Sequence, residues 1–150
     1  LMTSTQATQE IVGRQRLDYP EPRVRFGEAL SAFASACIDV SDGLLADLGH
    51  IGEQSGVGAE LDLAQLPLSP ELRATVPLFK AWDYALTGGD DYELCFTVPP
   101  LRRTEFESQV KKFDVAVTRI GVVVAGNAIQ LKGPAEYSGP TRTGYEHFQS

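Results

Sequence analysis

Apolar residues recur along this chain with two different periods, and the switches between them mark out its elements. Phe26, Leu30, Phe33 and Cys37 follow at steps of four, three and four residues, the spacing of one helix face. Leu44, Leu48 and Ile51, with Leu45 alongside, keep the helical period until Ser55-Gly56 stops it. Leu61 and Leu63 then alternate with Glu60 and Asp62, which predicts a half-buried strand. Ser69-Pro70 opens a short helix, with proline acceptable at its first position, and residues 78–86 predict another that Gly88-Gly89 closes. Tyr92, Leu94, Phe96 and Val98 alternate with Glu93, Cys95 and Thr97, a strand ended by Pro99-Pro100. Phe106, Val110 and Phe113 mark a further helix and residues 115–124 a further strand. Gly126-Asn127 reads as the hairpin turn into residues 128–131. Helices interleaved with hairpin strands predict an α+β domain with a mixed sheet.

The two ends read differently from the middle. Residues 1–19 are polar, with Ile11, Val12 and Leu17 as sparse apolar points, and Tyr19-Pro20-Glu21-Pro22 reads as an extended linker. Residues 1–22 are therefore expected to be an incoming segment and residues 23–150 a domain. After Lys132 the chain is rich in Gly, Pro, Ser and Thr, and it ends in the aromatic cluster Tyr145-Glu146-His147-Phe148.

Composition narrows the function classes. A length of 150 residues suits one domain with a sizeable core, or the detached half of something larger. The net charge of −7 argues against a nucleic-acid surface, so contact with a phosphate ligand would need divalent metal. No apolar run approaches membrane-spanning length and no signal segment opens the chain; no membrane partner and a cytoplasmic location are expected. Cys37 and Cys95 each lie in an apolar stretch and read as small buried thiols, not a disulfide. His50 and His147 lack zinc-type spacing.

Candidate chemistry concentrates in two acidic motifs, Asp39-Val40-Ser41-Asp42-Gly43 and Gly88-Gly89-Asp90-Asp91-Tyr92-Glu93-Leu94. Crowded carboxylates repel one another unless a cation compensates them. Mg²⁺ takes one or two carboxylates together with phosphate oxygens and waters, and the helix start after Gly43 favours an anion, so a Mg²⁺-assisted phosphate site fits the first motif. Spacing equally allows Ser41 or Asp42 as a helix cap with Asp39 paired to a surface lysine. In the second motif three acids fall within four residues at a strand start, which a helix C-cap followed by a solvated acidic turn also explains. Asp47 and His50 share a helix face and read as a surface pair. There is no lysine-bearing phosphate loop and no spacing that supports a Ser-His-Asp triad, and no catalytic acid or base is identified.

Together these motifs carry a resemblance. The run Ile38-Asp39-Val40-Ser41-Asp42-Gly43-Leu44, then Asp47-Leu48-Gly49-His50-Ile51, Ser55-Gly56-Val57-Gly58-Ala59, Leu66-Pro67, the second acidic motif and the closing Gly144-Tyr145-Glu146-His147-Phe148 resemble thiamine-monophosphate kinase, across residues 20–148. The likeness is to the second half of that enzyme, within the superfamily of aminoimidazole ribonucleotide synthetase and selenophosphate synthetase. It implies a three-layer α/β/α domain with a mixed sheet, and a first, ATP-binding domain to which residues 1–22 would connect. It further implies transfer of the γ-phosphate of ATP to thiamine monophosphate, giving thiamine diphosphate, with several Mg²⁺ ions, in an enzyme that forms a homodimer. By the same resemblance Asp39 and Asp42 bind metal, Ser41 contacts ATP, and Asp90 and Tyr145 contact the thiamine substrate. Where the family usually has Gly-Gly-Glu-Asp this chain has Gly88-Gly89-Asp90-Asp91, one methylene shorter at Asp90. A domain holding part of the metal shell is expected to be inactive alone. The alternatives are an ATP-dependent synthetase of the same superfamily and a non-catalytic substrate-binding or scaffold module.

Overall fold

The computed structural model describes residues 22–89 and 92–140. Asp90, Asp91 and Tyr145 lie outside those residues, as does the incoming segment through Glu21. Helix α1 spans Val24–Leu30, strand β1 Ala36–Asp39, helix α2 Leu44–Ser55 and strand β2 Val57–Asp62. Helices α3 (Pro70–Thr75) and α4 (Leu78–Thr87) follow, then β3 (Leu94–Thr97), α5 (Arg103–Val110), β4 (Gly121–Ala125) and β5 (Ile129–Lys132).

Most helix ends fall where local chemistry places them. Gly56 takes the left-handed conformation (φ 64°) that terminates α2, and Ser69 Oγ accepts from the Leu72 amide at 3.1 Å to cap α3 ahead of Pro70. The stripe through Cys37 is the exception. The helix stops at Leu30, and Cys37 belongs to β1, where it is exposed and not buried. Pairing with Leu94–Thr97 gives residues 36–39 a full set of strand partners, which outweighs a single residue in helical phase. Phe33 still packs on the cluster that α1 builds.

The described strands form two sheets. β1 and β3 pair antiparallel, with Cys37 opposite Phe96 and Asp39 opposite Leu94. The second sheet has the order β4-β2-β5, antiparallel between β2 and β4 and parallel between β2 and β5. It is the expected mixed sheet, but Gly126-Asn127 is not a hairpin turn. Gly126 does turn the chain (φ 107°), yet β4 and β5 are separated by β2, whose buried Ala59 and Leu61 gain most from the central place. Regular pairing starts only at Gly121, so the expected strand over 115–124 is half its length; Val115 and Val117 instead pack on an apolar cluster. Leu63 likewise falls past the end of β2, in a 3-10 turn where the Asp62 carboxylate accepts from the Ala64 amide at 3.0 Å.

Two apolar cores flank the β1–β3 ladder. Leu48, Ala59, Leu61, Leu63, Leu66, Trp82 and Leu86 form the larger, with Cys95 packed against it. Phe26, Leu30 and Phe106 form the smaller, with Leu94 and Phe96 against it through edge-on rings at 6.0 and 5.6 Å. Alternation along β3 thus sends neighbouring side chains into different cores, with α1 and α5 on one face and α2 on the other. The α+β architecture is as expected.

Candidate functional site

The ladder brings the two acidic motifs to one edge. β1 ends at Asp39 just where β3 begins at Leu94, and the ladder continues one step further as the Val40 amide donates to the Glu93 carbonyl at 2.8 Å. Residues 40–43 then turn into α2, whose N-cap is Gly43 (φ 117°, ψ 149°). Its position against α4 demands glycine twice over: the positive φ disfavours any side chain, and a Cβ would lie 3.0 Å from the Thr87 carbonyl group. Gly89 of the second motif packs on the same turn. A Cβ there would overlap the Ser41 carbonyl oxygen. The glycines of each motif therefore let its backbone lie against the other.

No side chain of Ser41 or Asp42 caps α2, contrary to expectation. Asp47, from the first turn of the helix, reaches back instead. Its Oδ2 accepts from the amides of Ser41, Asp42 and Gly43 at 2.9, 3.1 and 3.2 Å, while its own amide donates to the Gly43 carbonyl at 3.0 Å. This is a capping box shifted by one residue, with the acid supplied from inside the helix. Asp47 is 2% exposed, so the expected surface pair with His50 is corrected: Asp47 is a buried brace and His50 an exposed neighbour. Burial is tolerable because three donors and the positive helix end satisfy the charge. Nearby, burial and then the adjacent Cys37 and Asp47 push the Cys95 thiol up to about 11.

The brace leaves the candidate ligands outside. Asp39 and Ser41 are exposed and Asp42 is half-buried. Among the described residues the ion pairs are Arg23–Glu93, Arg103–Glu107 and Lys132–Glu60, so Asp39 does not pair with a surface lysine. Asp42, Asp47 and His50 each bring one potential ligand atom within 4.8 Å of the others, a group that lacks Asp39. The carboxylates of Asp39 and Asp42 and the Ser41 hydroxyl are hard oxygen donors of the kind that Mg²⁺ takes. In the second motif, Glu93 is bound by the Arg23 guanidinium through both oxygens, at 2.8 and 3.1 Å, so arginine compensates that acid. Tyr92 holds a positive φ of 53°, unusual for an aromatic residue, and its ring is exposed. Asp90 and Tyr145 fall outside the described residues.

Spacing alone did not reveal the role of Asp47. An acid four residues after the glycine of a helix start was the available signal, since that offset returns a side chain to the first turn.

Comparison with known proteins agrees with the motif resemblance. Residues 3–133 match the family described as AIR synthase related protein, C-terminal domain. A thiamine-monophosphate kinase from Salmonella typhimurium is 42% identical over 138 residues, which is 89% of this chain and 42% of the relative. One from Haemophilus influenzae is 46% identical over 110 residues, 73% of this chain and 34% of the relative. The crystal structure of thiamine-monophosphate kinase from Stenotrophomonas maltophilia superposes with a TM-score of 0.75 at 48% identity, over 81% of this chain and 39% of that one. The structure described as AaThiL complexed with AMPPCP and TMP gives 0.69 at 30% identity, over 93% of this chain and 42% of that one. The chain thus spans well under half the length of these relatives. With its mixed sheet, its braced acidic turn and a family match running nearly from end to end, this chain belongs to the AIR synthase related protein, C-terminal domain family.

Proposed function

We propose that the chain is the part of a thiamine-monophosphate kinase that carries Asp39, Ser41 and Asp42, in an enzyme that moves the γ-phosphate of ATP onto thiamine monophosphate. The observation that carries this reading is the braced turn of residues 40–43, which presents carboxylates and a hydroxyl at the positive end of α2. Relatives with the kinase name, and one described as complexed with AMPPCP and TMP, support the substrate pair.

The chemistry suits these residues. A phosphate monoester has its second pKa near about 6, so the acceptor is already largely dianionic at neutral pH and needs no strong base. That agrees with a site whose described residues are acids and a hydroxyl, with His50 exposed beside them. The main obstacle is repulsion between two polyanions, and Mg²⁺ supplies the charge neutralisation that phosphoryl transfer requires. Asp39 and Asp42 would hold metal, Ser41 would contact ATP, and Asp90 and Tyr145 would contact the thiazolium-bearing substrate, a cation suited to an acid and an aromatic face. Residues 1–22 would connect to the ATP-binding domain, and residues 23–150 would form the substrate- and metal-binding domain. The complete enzyme would be a cytoplasmic homodimer.

The test is thiamine diphosphate formation from ATP, Mg²⁺ and thiamine monophosphate by the full-length parent, beside its Asp39→Asn variant. Activity that collapses in the variant supports both kinase and metal role; activity retained returns Asp39 to a structural part. An inactive parent removes the kinase reading. The 150-residue chain alone is expected to form no ADP in response to thiamine monophosphate.

A further inference from the structure

Asp47 is the buried acid among the described residues, and its carboxylate holds backbone. One oxygen, Oδ2, accepts three consecutive amides, those of Ser41, Asp42 and Gly43. With its acceptor capacity filled, that oxygen has no lone pair to offer a cation. Asp47 lies near Asp42 and His50 and its other oxygen remains a potential ligand atom, but Oδ2 is committed to the turn.

From this arrangement we infer that Asp47 is a positioning residue: its carboxylate fixes the backbone of residues 41–43, and through it the directions in which Ser41 and Asp42 face metal and phosphate. The inference rests on the kinase reading for what the turn binds, and on the hydrogen bonds alone for how the turn is held.

Three features make the brace specific. Hydrogen bonds to an ionised acceptor are roughly twice as strong as neutral ones, so a neutral side chain of the same shape holds the turn less firmly. The Asp47 amide donates to the Gly43 carbonyl at 3.0 Å, closing the turn from the opposite direction. On its outer side the turn is limited by Gly89 against Ser41 and by Thr87 against Gly43, so it has no room to relax toward α4. Loss of the brace would free the amides inward while the candidate ligands keep their chemistry but lose their aim. Displacement of ligand groups by a fraction of an ångström is costly where charge must be met at fixed positions.

The experiment uses the full-length parent and its Asp47→Asn variant, which keeps the shape and one acceptor but removes the charge. Amide hydrogen exchange is read at Ser41, Asp42 and Gly43, Mn²⁺ affinity by water-proton relaxation, and kcat and KM for thiamine monophosphate by turnover. The parent should protect all three amides. The variant should exchange them faster, bind Mn²⁺ about tenfold more weakly and lose kcat by a similar factor, as supporting partners of metal ligands do. KM for thiamine monophosphate should move by less than about twofold, because the lost interaction is not one made with that substrate. Rapid exchange of these amides in the unmutated parent overturns the inference, whether or not any variant folds. So does a folded Asp47→Asn protein that is less stable yet keeps its Mn²⁺ affinity and kcat. A parent without kinase activity, in which Asp47→Asn still loosens the amides and weakens Mn²⁺ binding, refutes the kinase reading and leaves the positioning role standing.

Discussion

At the scale of single residues, the site separates groups that face outward from groups that hold them. Asp42, half-buried, lies in a turn whose backbone Asp47 holds. In the full-length parent, Asp42→Asn should lower kcat by about a hundredfold, several kcal/mol of charge stabilisation being at stake. Binding of thiamine monophosphate should weaken far less. Unchanged turnover at saturating Mg²⁺ would remove Asp42 from the metal site. Gly89 belongs to the holding groups, since any Cβ there overlaps the Ser41 carbonyl. Gly89→Ala should cost about 1–3 kcal/mol, the usual range for forcing extra volume into a packed position. Urea unfolding of the parent and variant measures it, and equal midpoints would mean that the two motifs are not in contact.

Elements matter here as spacers. α2 and α4 share the larger core, and Thr87 at the end of α4 touches Gly43 at the start of α2. Leu86, wholly buried one residue earlier, anchors that junction. Leu86→Ala should destabilise the fold by about 2–5 kcal/mol, the span measured for buried leucines elsewhere. Because Leu86 precedes Thr87, whose backbone meets Gly43, a thermal melt and a Mn²⁺ titration on the variant should both shift. A loss of stability with unaltered Mn²⁺ affinity would show that α4 supports the core but not the turn. The short ladder of β1 and β3 acts differently, because by pairing Asp39 with Leu94 it sets the distance between the motifs.

For the whole molecule, charge and burial couple across the β1–β3 ladder. Cys95 sits between the larger core and the brace, and its thiol is raised from 9.0 to about 11, chiefly by burial, with smaller contributions from Cys37 and Asp47. A group whose pKa is raised on folding stabilises the fold fully below its unfolded pKa and ceases to do so as pH rises through the folded one. Between pH 9 and about 11 this thiol should therefore subtract stability, by at most about 1.4 kcal/mol per pH unit. Urea unfolding at pH 8 and pH 10.5, for parent and Cys95→Ala, isolates the contribution. The alanine variant should lose less stability over that interval, and an identical loss would place Cys95 in a more polar setting. Tyr137 is also raised, by burial and by its hydrogen bond to Asp83 at 2.7 Å.

Much of this protein is legible in the chain because its information is local. Helical spacing over residues 44–51 and Gly56 located α2, Ser69-Pro70 located α3, and the two acidic motifs carried the family resemblance and the candidate ligands Asp39, Ser41 and Asp42. Local pattern failed wherever a distant partner decided. Cys37 kept helical phase but was taken into a strand by residues far along the chain, and Gly126-Asn127 turned the backbone without joining neighbours, because β2 occupies the place between. Asp47 had the composition of a surface helix residue, and only the turn folding back over it made it a buried acceptor. The sequence by itself determined which residues could bind a cation or a phosphate, since that follows from side-chain chemistry. The tertiary structure decided which of them face outward and which hold the others in place, since that depends on hydrogen bonds and close approaches between segments that the chain brings together only on folding.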